Sequence, residues 1–268
     1  MRKNLSFVVI AAIVLTLVAC ATTGPGGDKS LILIPTAYEV SIGQGMAQQV
    51  RAQEKVLPDS LWQAYLDEVG QRIVRVSDRT DLEYHFTVIE SDQVNAFAAP
   101  GGYVYFYTGL LKKMGSEAEM AAVMAHEISH VVARHGVKRL QAAMGAQLAY
   151  QLVFGGDDQS EALNAAINLG MGLAFAGYSR ENEREADRYG IIYMTDAGYD
   201  PQGAVAMFQT LQELRGDHQA SSLEMLASSH PEAEERIRNA REQISQMQLS
   251  GNLEVGQDRY QQMLQRLN

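Results

Sequence analysis

Two histidines and a glutamate in the run His126-Glu127-Ile128-Ser129-His130 have the types and spacing for metal-assisted hydrolysis. Histidines four positions apart share one helix face, so each can give one ring nitrogen to a single Zn²⁺ at about 2.0–2.1 Å. Glu127 lies roughly 100° around the helix from His126. There its carboxylate can take a proton from a metal-activated water that attacks a peptide carbonyl. The plainer alternative is that both histidines are core residues and Glu127 is a solvated neighbour.

The third metal ligand must come from elsewhere, because Ala133 and Gly136 occupy the glycine and histidine places of the longer H-E-x-x-H-x-x-G-x-x-H pattern. A helical wheel of the later stretch gives one small, apolar stripe, made of Glu183, Ala186, Asp187, Gly190, Met194 and Ala197. The opposite side, predicted to be solvated, carries Glu181, Arg184, Glu185 and Arg188. Carboxylates on an apolar face need partners. We therefore predict one Zn²⁺ per chain with Glu183 as third ligand, and Asp187 as acceptor for a ligand histidine N–H. The alternative is that both acids pair with basic residues such as Arg180.

The elements that must position these residues are mostly helices. Ser116 followed by Glu119 is typical of a capping box, and the alanine-rich run after it predicts the helix that carries the histidines. Further helices are predicted over 36–57, 61–76, 137–154 and 160–175. Residues 84–89 alternate as a strand, and 95–107 indicate two strands around a Pro-Gly-Gly turn. The fold class is therefore mainly α with a small antiparallel β-sheet (α+β).

The first thirty residues indicate export. Arg2-Lys3 and a short apolar run predict a signal peptide over 1–19. Cys20, the only cysteine, ends the run Leu17-Val18-Ala19-Cys20, which resembles a bacterial lipobox and implies lipidation. An ordinary secretory signal with an incidental cysteine is the alternative. Residues 20–30 are predicted to be a lipidated tether, and 31–268 a single metallopeptidase domain with C-terminal helices. The net charge of −10 argues against a nucleic-acid partner.

Three motifs in order resemble the zinc metallopeptidase family that includes HtpX, the CAAX prenyl proteases and the Oma-type proteases. They are His126-Glu127-Ile128-Ser129-His130, the run Asn95-Ala96-Phe97…Pro100-Gly101-Gly102, and Ser179-Arg180…Glu183…Ala186-Asp187. With its lipobox the chain is most similar to the periplasmic BepA/LoiP-like lipoprotein branch. The resemblance implies a gluzincin-type fold with the active-site helix under a β-hairpin. Its edge strand, here Asn95, Ala96, Phe97 and Ala98, would bind extended polypeptide substrates, although a purely structural hairpin fits the spacing equally well.

The resemblance adds two residues that spacing does not reveal. Ser229-His230-Pro231…Arg236 matches the His-Pro-x4-Arg motif of the family, which implies that His230 and Arg236 stabilise the oxyanion. In the BepA-like branch the same histidine can instead bind the zinc and hold the enzyme latent. The three remaining histidines, His85, His135 and His218, are interpreted as structural or surface residues. The chain is expected to lack the tetratricopeptide tail of that branch, which favours a minimal peptidase.

These features predict a zinc-dependent endopeptidase of misfolded or unassembled envelope proteins, anchored through Cys20 to the periplasmic face of the outer membrane. The alternative is a latent, chaperone-like envelope binding module with a structural or regulated zinc. Glu127 distinguishes the endopeptidase from the binding module, because a structural zinc site has no need of a carboxylate beside its first histidine.

Overall fold

The computed structural model describes residues 21–27, 29–156, 159–216, 233–249 and 251–267. The predicted signal peptide, Cys20, His218 and His230 lie outside these residues. The helices are α1 (Thr36–Gln53), α2 (Ser60–Val74), α3 (Thr108–Leu111), α4 (Glu117–Val132), α5 (His135–Phe154), α6 (Gln159–Ala174), α7 (Arg180–Asp196), α8 (Gln202–Gly216), α9 (Ala233–Gln246) and α10 (Gln257–Leu264). Within these ranges, no helix combines the length and the apolar character that crossing a membrane requires.

A three-stranded sheet contains β3 (His85–Ile89), β4 (Ala96–Ala99) and β5 (Tyr103–Tyr107) in the order β3-β5-β4. A two-stranded sheet, β1 (Ala21–Thr23) with β2 (Lys29–Leu31), precedes the helices. The predicted hairpin is confirmed, since β4 and β5 pair antiparallel around a turn in which Gly101 and Gly102 have positive φ. The prediction of a wholly antiparallel sheet is corrected, because β3 pairs with β5 in parallel. The chain reverses direction twice, between β3 and β4 and again between β4 and β5, so the central strand β5 runs the same way as β3.

The sheet lies between two groups of helices, and its side chains alternate between them. Val88, Ala96, Ala98, Val104 and Phe106 pack in a core with α2, α4 and the later helices. Ile89, Phe97, Ala99, Tyr105 and Tyr107 pack on the opposite side with α1, α5 and α6. The structure is thus layered, with α4 directly on one face of the sheet. Small alanines at positions 96 and 98 allow that close packing.

Helix α4 is fixed at its first turn. Ser116 is the N-cap and its Oγ accepts from the Glu119 N–H at 3.3 Å, which confirms the predicted cap. The Glu119 carboxylate accepts from the Gly115 N–H rather than from that of Ser116. Glu117 is fully buried and accepts hydroxyl hydrogen bonds from Tyr65 and Tyr199 at 2.7 and 2.9 Å. The start of α4 is therefore held by the core and not only by local sequence.

The far end of α4 is held by a buried charge cluster. Glu39 of α1 accepts two hydrogen bonds from Arg79 and lies 2.8 Å from the guanidinium of Arg134. Arg134 follows α4 and has a left-handed backbone (φ 55°), a conformation that costs a non-glycine residue about 1–3 kcal/mol. Its side chain also donates to the carbonyl of Ile34 at 2.7 Å. These contacts stabilise the reversal between α4 and α5.

Candidate metal centre

Three donor atoms from α4 and α7 converge on one point. Nε2 of His126 and Nε2 of His130 are 3.1 Å apart, and they lie 3.6 and 3.4 Å from the two carboxylate oxygens of Glu183. All three side chains are buried. Ligands of a tetrahedral zinc ion at about 2.0–2.1 Å lie about 3.4 Å from one another. The structure therefore brings together the three residues that the sequence predicted as ligands, at separations suited to one zinc ion.

Close packing of α7 on α4 makes this convergence possible. A Cβ atom at Gly190 would lie 3.1 Å from the backbone nitrogen of His126, so a larger residue would push the helices apart. Ser179 caps α7 by accepting from the Asn182 N–H. With the helix start fixed and Gly190 against His126, the carboxylate of Glu183 reaches both imidazoles.

The second ring nitrogen of His126 has an acidic partner. Its Nδ1 lies 2.8 Å from Oδ1 of Asp187. Arg236 donates from Nη2 and Nε to the two oxygens of the same carboxylate at 2.6 and 2.8 Å. Burial alone would raise the pKa of Asp187, but the charge of Arg236 and the His126 hydrogen bond outweigh it and hold that pKa at about 2. Asp187 is therefore an anion at neutral pH, placed where the sequence predicted a histidine acceptor.

The second ring nitrogen of His130 has a different partner, which the sequence analysis missed. Its Nδ1 lies 2.8 Å from Nδ1 of His135, and Nε2 of His135 lies 2.9 Å from Oε2 of Glu185. Burial lowers the pKa of His130 well below its ordinary value and also lowers that of His135. The hydrogen bond from His135 lowers the pKa of Glu185. The prediction that Glu185 lies on a solvated side is wrong, because the chain reverses at Arg134 and brings His135, the first residue of α5, into contact with the Glu185 carboxylate.

Glu127 and His126 line a cavity with a largely apolar wall. Its other lining residues are Ala96 of β4, Leu110, Ala122, Val123, Met207, Phe208, Leu211 and Arg236. Glu127 is almost fully buried, with 2% of its surface exposed. A carboxylate beside the predicted ligands, in surroundings with few polar groups, suits proton transfer at a reacting group.

Strand β4 forms one wall of the site and is an edge of the three-stranded sheet. The Tyr107 N–H donates to the carbonyl of Asn95, so Asn95 and Phe97 direct their main-chain groups at β5. The main-chain groups of Ala96 and Ala98 consequently point away from β5. Ala96 lines the cavity beside His126, and Ala98 lines a second cavity beside His130. The outward edge of β4 therefore runs past both His126 and His130.

The structure places Arg236 in the site but directs it at Asp187. The remaining nitrogen, Nη1, lies 4.0 Å from Glu183, and the guanidinium lies over the ring of Phe208 at 4.2 Å. The predicted contact of Arg236 with an oxyanion stays a prediction, as does the role of His230. The predicted alternative, ion pairing of the α7 acids, is realised for Asp187 by Arg236.

The donor set fits zinc on chemical grounds. Imidazole and carboxylate ligands suit this ion. If Nδ1 of His126 donates to Asp187 and Nδ1 of His130 donates to His135, both Nε2 atoms present lone pairs to the same point. Glu183 adds an anionic oxygen there. Three acceptors at such separations favour a cation between them.

Comparison with known proteins also indicates a metallopeptidase. The family model of peptidase family M48 matches residues 60–244. The putative beta-barrel assembly-enhancing protease of Vibrio cholerae is 34% identical over 222 residues, covering 78% of this chain and 44% of that protein. The beta-barrel assembly-enhancing protease of Escherichia coli is 28% identical over 261 residues, covering 92% and 53%. The mitochondrial metalloendopeptidase OMA1 of Schizosaccharomyces pombe is 33% identical over 186 residues, covering 69% and 54%. The chain spans about half the length of these relatives.

Proposed function

The chain belongs to peptidase family M48, and we propose that it is a zinc-dependent endopeptidase. In this proposal His126, His130 and Glu183 hold one Zn²⁺ and Glu127 is the general base. The single observation that carries it is the convergence of the three donors, at 3.1–3.6 Å, beside the cavity that Glu127 lines.

The chemistry divides between the ion and the side chains. Zinc, when bound, supplies a Lewis acid that lowers the pKa of water and polarises a peptide carbonyl. Glu127 accepts a proton from the attacking water and delivers it to the leaving amine nitrogen. Asp187 holds the ring of His126 through Nδ1, so that Nε2 stays directed at the ion. The apolar cavity wall keeps bulk solvent away from the reacting groups, apart from the attacking water, and so strengthens these interactions.

The arrangement of β4 supports extended polypeptides as substrates. A segment that pairs with the outward main-chain groups of Ala96 and Ala98 would run past both histidines and gain hydrogen bonds independent of its sequence. The adjoining cavity, lined by Val123, Phe208 and Leu211 among others, would accept an apolar side chain. Accessible extended, apolar segments are typical of misfolded or unassembled proteins, which we propose as the substrates.

The place of action is proposed from the relatives and from the start of the chain. Two relatives are named for assisting beta-barrel assembly, which supports a role in the cell envelope. We further propose that Cys20 carries a lipid anchor and holds the protein at the periplasmic face of the outer membrane. Mass spectrometry of the protein purified from membranes tests this, because lipidation adds a diacylglycerol group to Cys20 and the Cys20→Ala variant lacks it.

The catalytic proposal is tested by Glu127→Gln, measured as cleavage of casein and as bound zinc per chain. We expect this variant to keep one zinc and to lose cleavage, while the exposed control Glu161→Gln keeps both. In the branch that the chain resembles, the histidine at this position can bind the zinc and hold the enzyme latent, so the comparison is repeated with His230→Ala. If Glu127→Gln cleaves as well as its parent, the assignment of the base is wrong.

The alternative, a binding module with structural zinc, predicts a different result. Protein with one bound zinc would leave casein intact in both the parent and the His230→Ala background. The Glu127→Gln change would then alter nothing that the cleavage assay measures.

A further inference from the structure

Helix α7 supplies three acidic residues to the metal centre at alternate positions. Glu183 faces the converging nitrogens, and Asp187 contacts His126. Glu185, between them in sequence, contacts His135 instead. His126 thus reaches an α7 carboxylate directly, whereas His130 reaches one through a second histidine.

The direction of the two hydrogen bonds that link His130, His135 and Glu185 follows from the chemistry of imidazole. If Nε2 of His130 binds the ion, its Nδ1 carries the proton and donates it to Nδ1 of His135. His135 must then carry its own proton on Nε2, which faces the Glu185 carboxylate at 2.9 Å. Each imidazole donates from one ring nitrogen and uses the lone pair of the other, His130 toward the ion and His135 toward His130, and the Glu185 carboxylate accepts the last hydrogen bond.

The fold builds this contact at some cost. Arg134 adopts its left-handed conformation between the two histidines, so that the chain reverses and brings His135 beside the ring of His130. His135 has no exposed surface. The ring of Tyr178 stacks on that of His130 at 4.1 Å, and Arg139 lies over Tyr178. His130 is therefore restrained both at Nδ1 and across its face.

We propose that His135 and Glu185 are positioning residues for His130, fixing the orientation and the tautomer in which its Nε2 faces the zinc ion. The proposal rests on the proposed zinc centre. Partners of this kind contribute about tenfold to a hundredfold to metal affinity. A hydrogen bond to an anion also makes the imidazole a stronger ligand, and here that effect passes through His135.

A merely structural role makes a different prediction. If the pair serves only to pack α5 on α7, its loss lowers the stability of the metal-free protein and leaves zinc affinity unchanged. The two roles are separated by measuring unfolding of the metal-free protein alongside the zinc dissociation constant.

The test uses Glu185→Ala, because Glu185 is half-buried whereas His135 is fully buried, so truncating Glu185 disturbs the core less. The matched control is Glu181→Ala, which changes an exposed acid one turn earlier on α7. Zinc dissociation constants are measured on the full chain by competition with a chelator of known affinity. We expect Glu185→Ala to bind zinc about tenfold or more weakly and Glu181→Ala to match the parent. Glu185→Ala binding zinc within twofold of the parent overturns the proposal.

A second measurement does not depend on substitution. Nitrogen-15 spectra of histidine-labelled, zinc-loaded protein report which ring nitrogen carries each proton. We expect His135 protonated on Nε2 and His130 on Nδ1, and the opposite tautomer of His135 overturns the proposed hydrogen bonding from His130 through His135 to Glu185.

Glu183→Ala serves as the reference variant for the proposed zinc site itself. If Glu183→Ala keeps its zinc, the proposed function fails, whereas an unchanged zinc affinity in Glu185→Ala alone refutes only the positioning role of His135 and Glu185.

Discussion

The carboxylate of Asp187 lies between His126 and Arg236, at 2.8 Å from the Nδ1 of the former and 2.6 Å from the Nη2 of the latter. A single, largely buried anion thus contacts a proposed metal ligand and a largely buried guanidinium. Since the pKa of Asp187 is about 2, this charge is present throughout the neutral range.

Asp187→Asn tests the first of these two functions. The amide keeps the size of the side chain but removes the charge that faces His126, so we expect zinc affinity to fall about tenfold to a hundredfold. Competition with a chelator measures the change. Asp196→Asn, at an exposed position near the end of the same helix, is the control and should bind zinc like the parent. If Asp187→Asn binds zinc with the same affinity as the parent, Asp187 does not orient His126 for the ion.

Arg236→Gln tests whether Arg236 also acts on the reacting atoms. Loss of its two hydrogen bonds to Asp187 should weaken zinc binding. If Arg236 also stabilises the oxyanion, kcat should fall about a hundredfold even at saturating zinc. The measurement is kcat as a function of zinc concentration. Full recovery of kcat at high zinc would show that Arg236 acts only through Asp187.

Ala98→Pro tests substrate pairing along β4. The Ala98 N–H points away from β5, so proline removes a donor from the free edge without breaking the hairpin. We expect kcat/KM for extended peptides to fall by a factor of about 3–10, the worth of one hydrogen bond. Zinc content and the thermal unfolding midpoint should stay close to those of the parent. Unchanged kcat/KM would mean that substrates do not pair at this position.

Glu39→Gln tests the cluster that holds the far end of α4. The change leaves two buried arginines, Arg79 and Arg134, without their carboxylate, so we expect the free energy of unfolding to fall by about 3–5 kcal/mol. Glu90→Gln is the comparison, because its partner Lys55 is exposed and such pairs contribute less than about 1 kcal/mol. Urea unfolding measures both. Similar losses for the two variants would contradict the role of the cluster.

Local periodicity explains what the sequence could predict of the site. His126 and His130 are four positions apart, as are Glu183 and Asp187, and helix geometry alone places each pair on one face. The cap at Ser116 and the Pro-Gly-Gly hairpin are local too. These local features were sufficient to predict the three proposed ligands and Asp187 as the acceptor of His126.

The features that were missed depend on how distant elements meet. The contact of Glu185 with His135 could not be predicted from a helical wheel of α7, because His135 reaches Glu185 only after the left-handed turn at Arg134. The pairing of Arg236 with Asp187 requires α9 to pack on α7. The parallel pairing of β3 likewise depends on which strand is central. The signal that could have pointed to His135 is its position one residue after an arginine at a helix end, but residue type alone does not specify that turn.

The central claim is that one zinc ion lies between His126, His130 and Glu183. Anomalous scattering at the zinc absorption edge, from crystals grown with added zinc, tests it most directly. We expect one peak within about 2.0–2.2 Å of Nε2 of each histidine and of a Glu183 oxygen. A peak elsewhere in the molecule, with Glu183 turned away from both histidines, would contradict it.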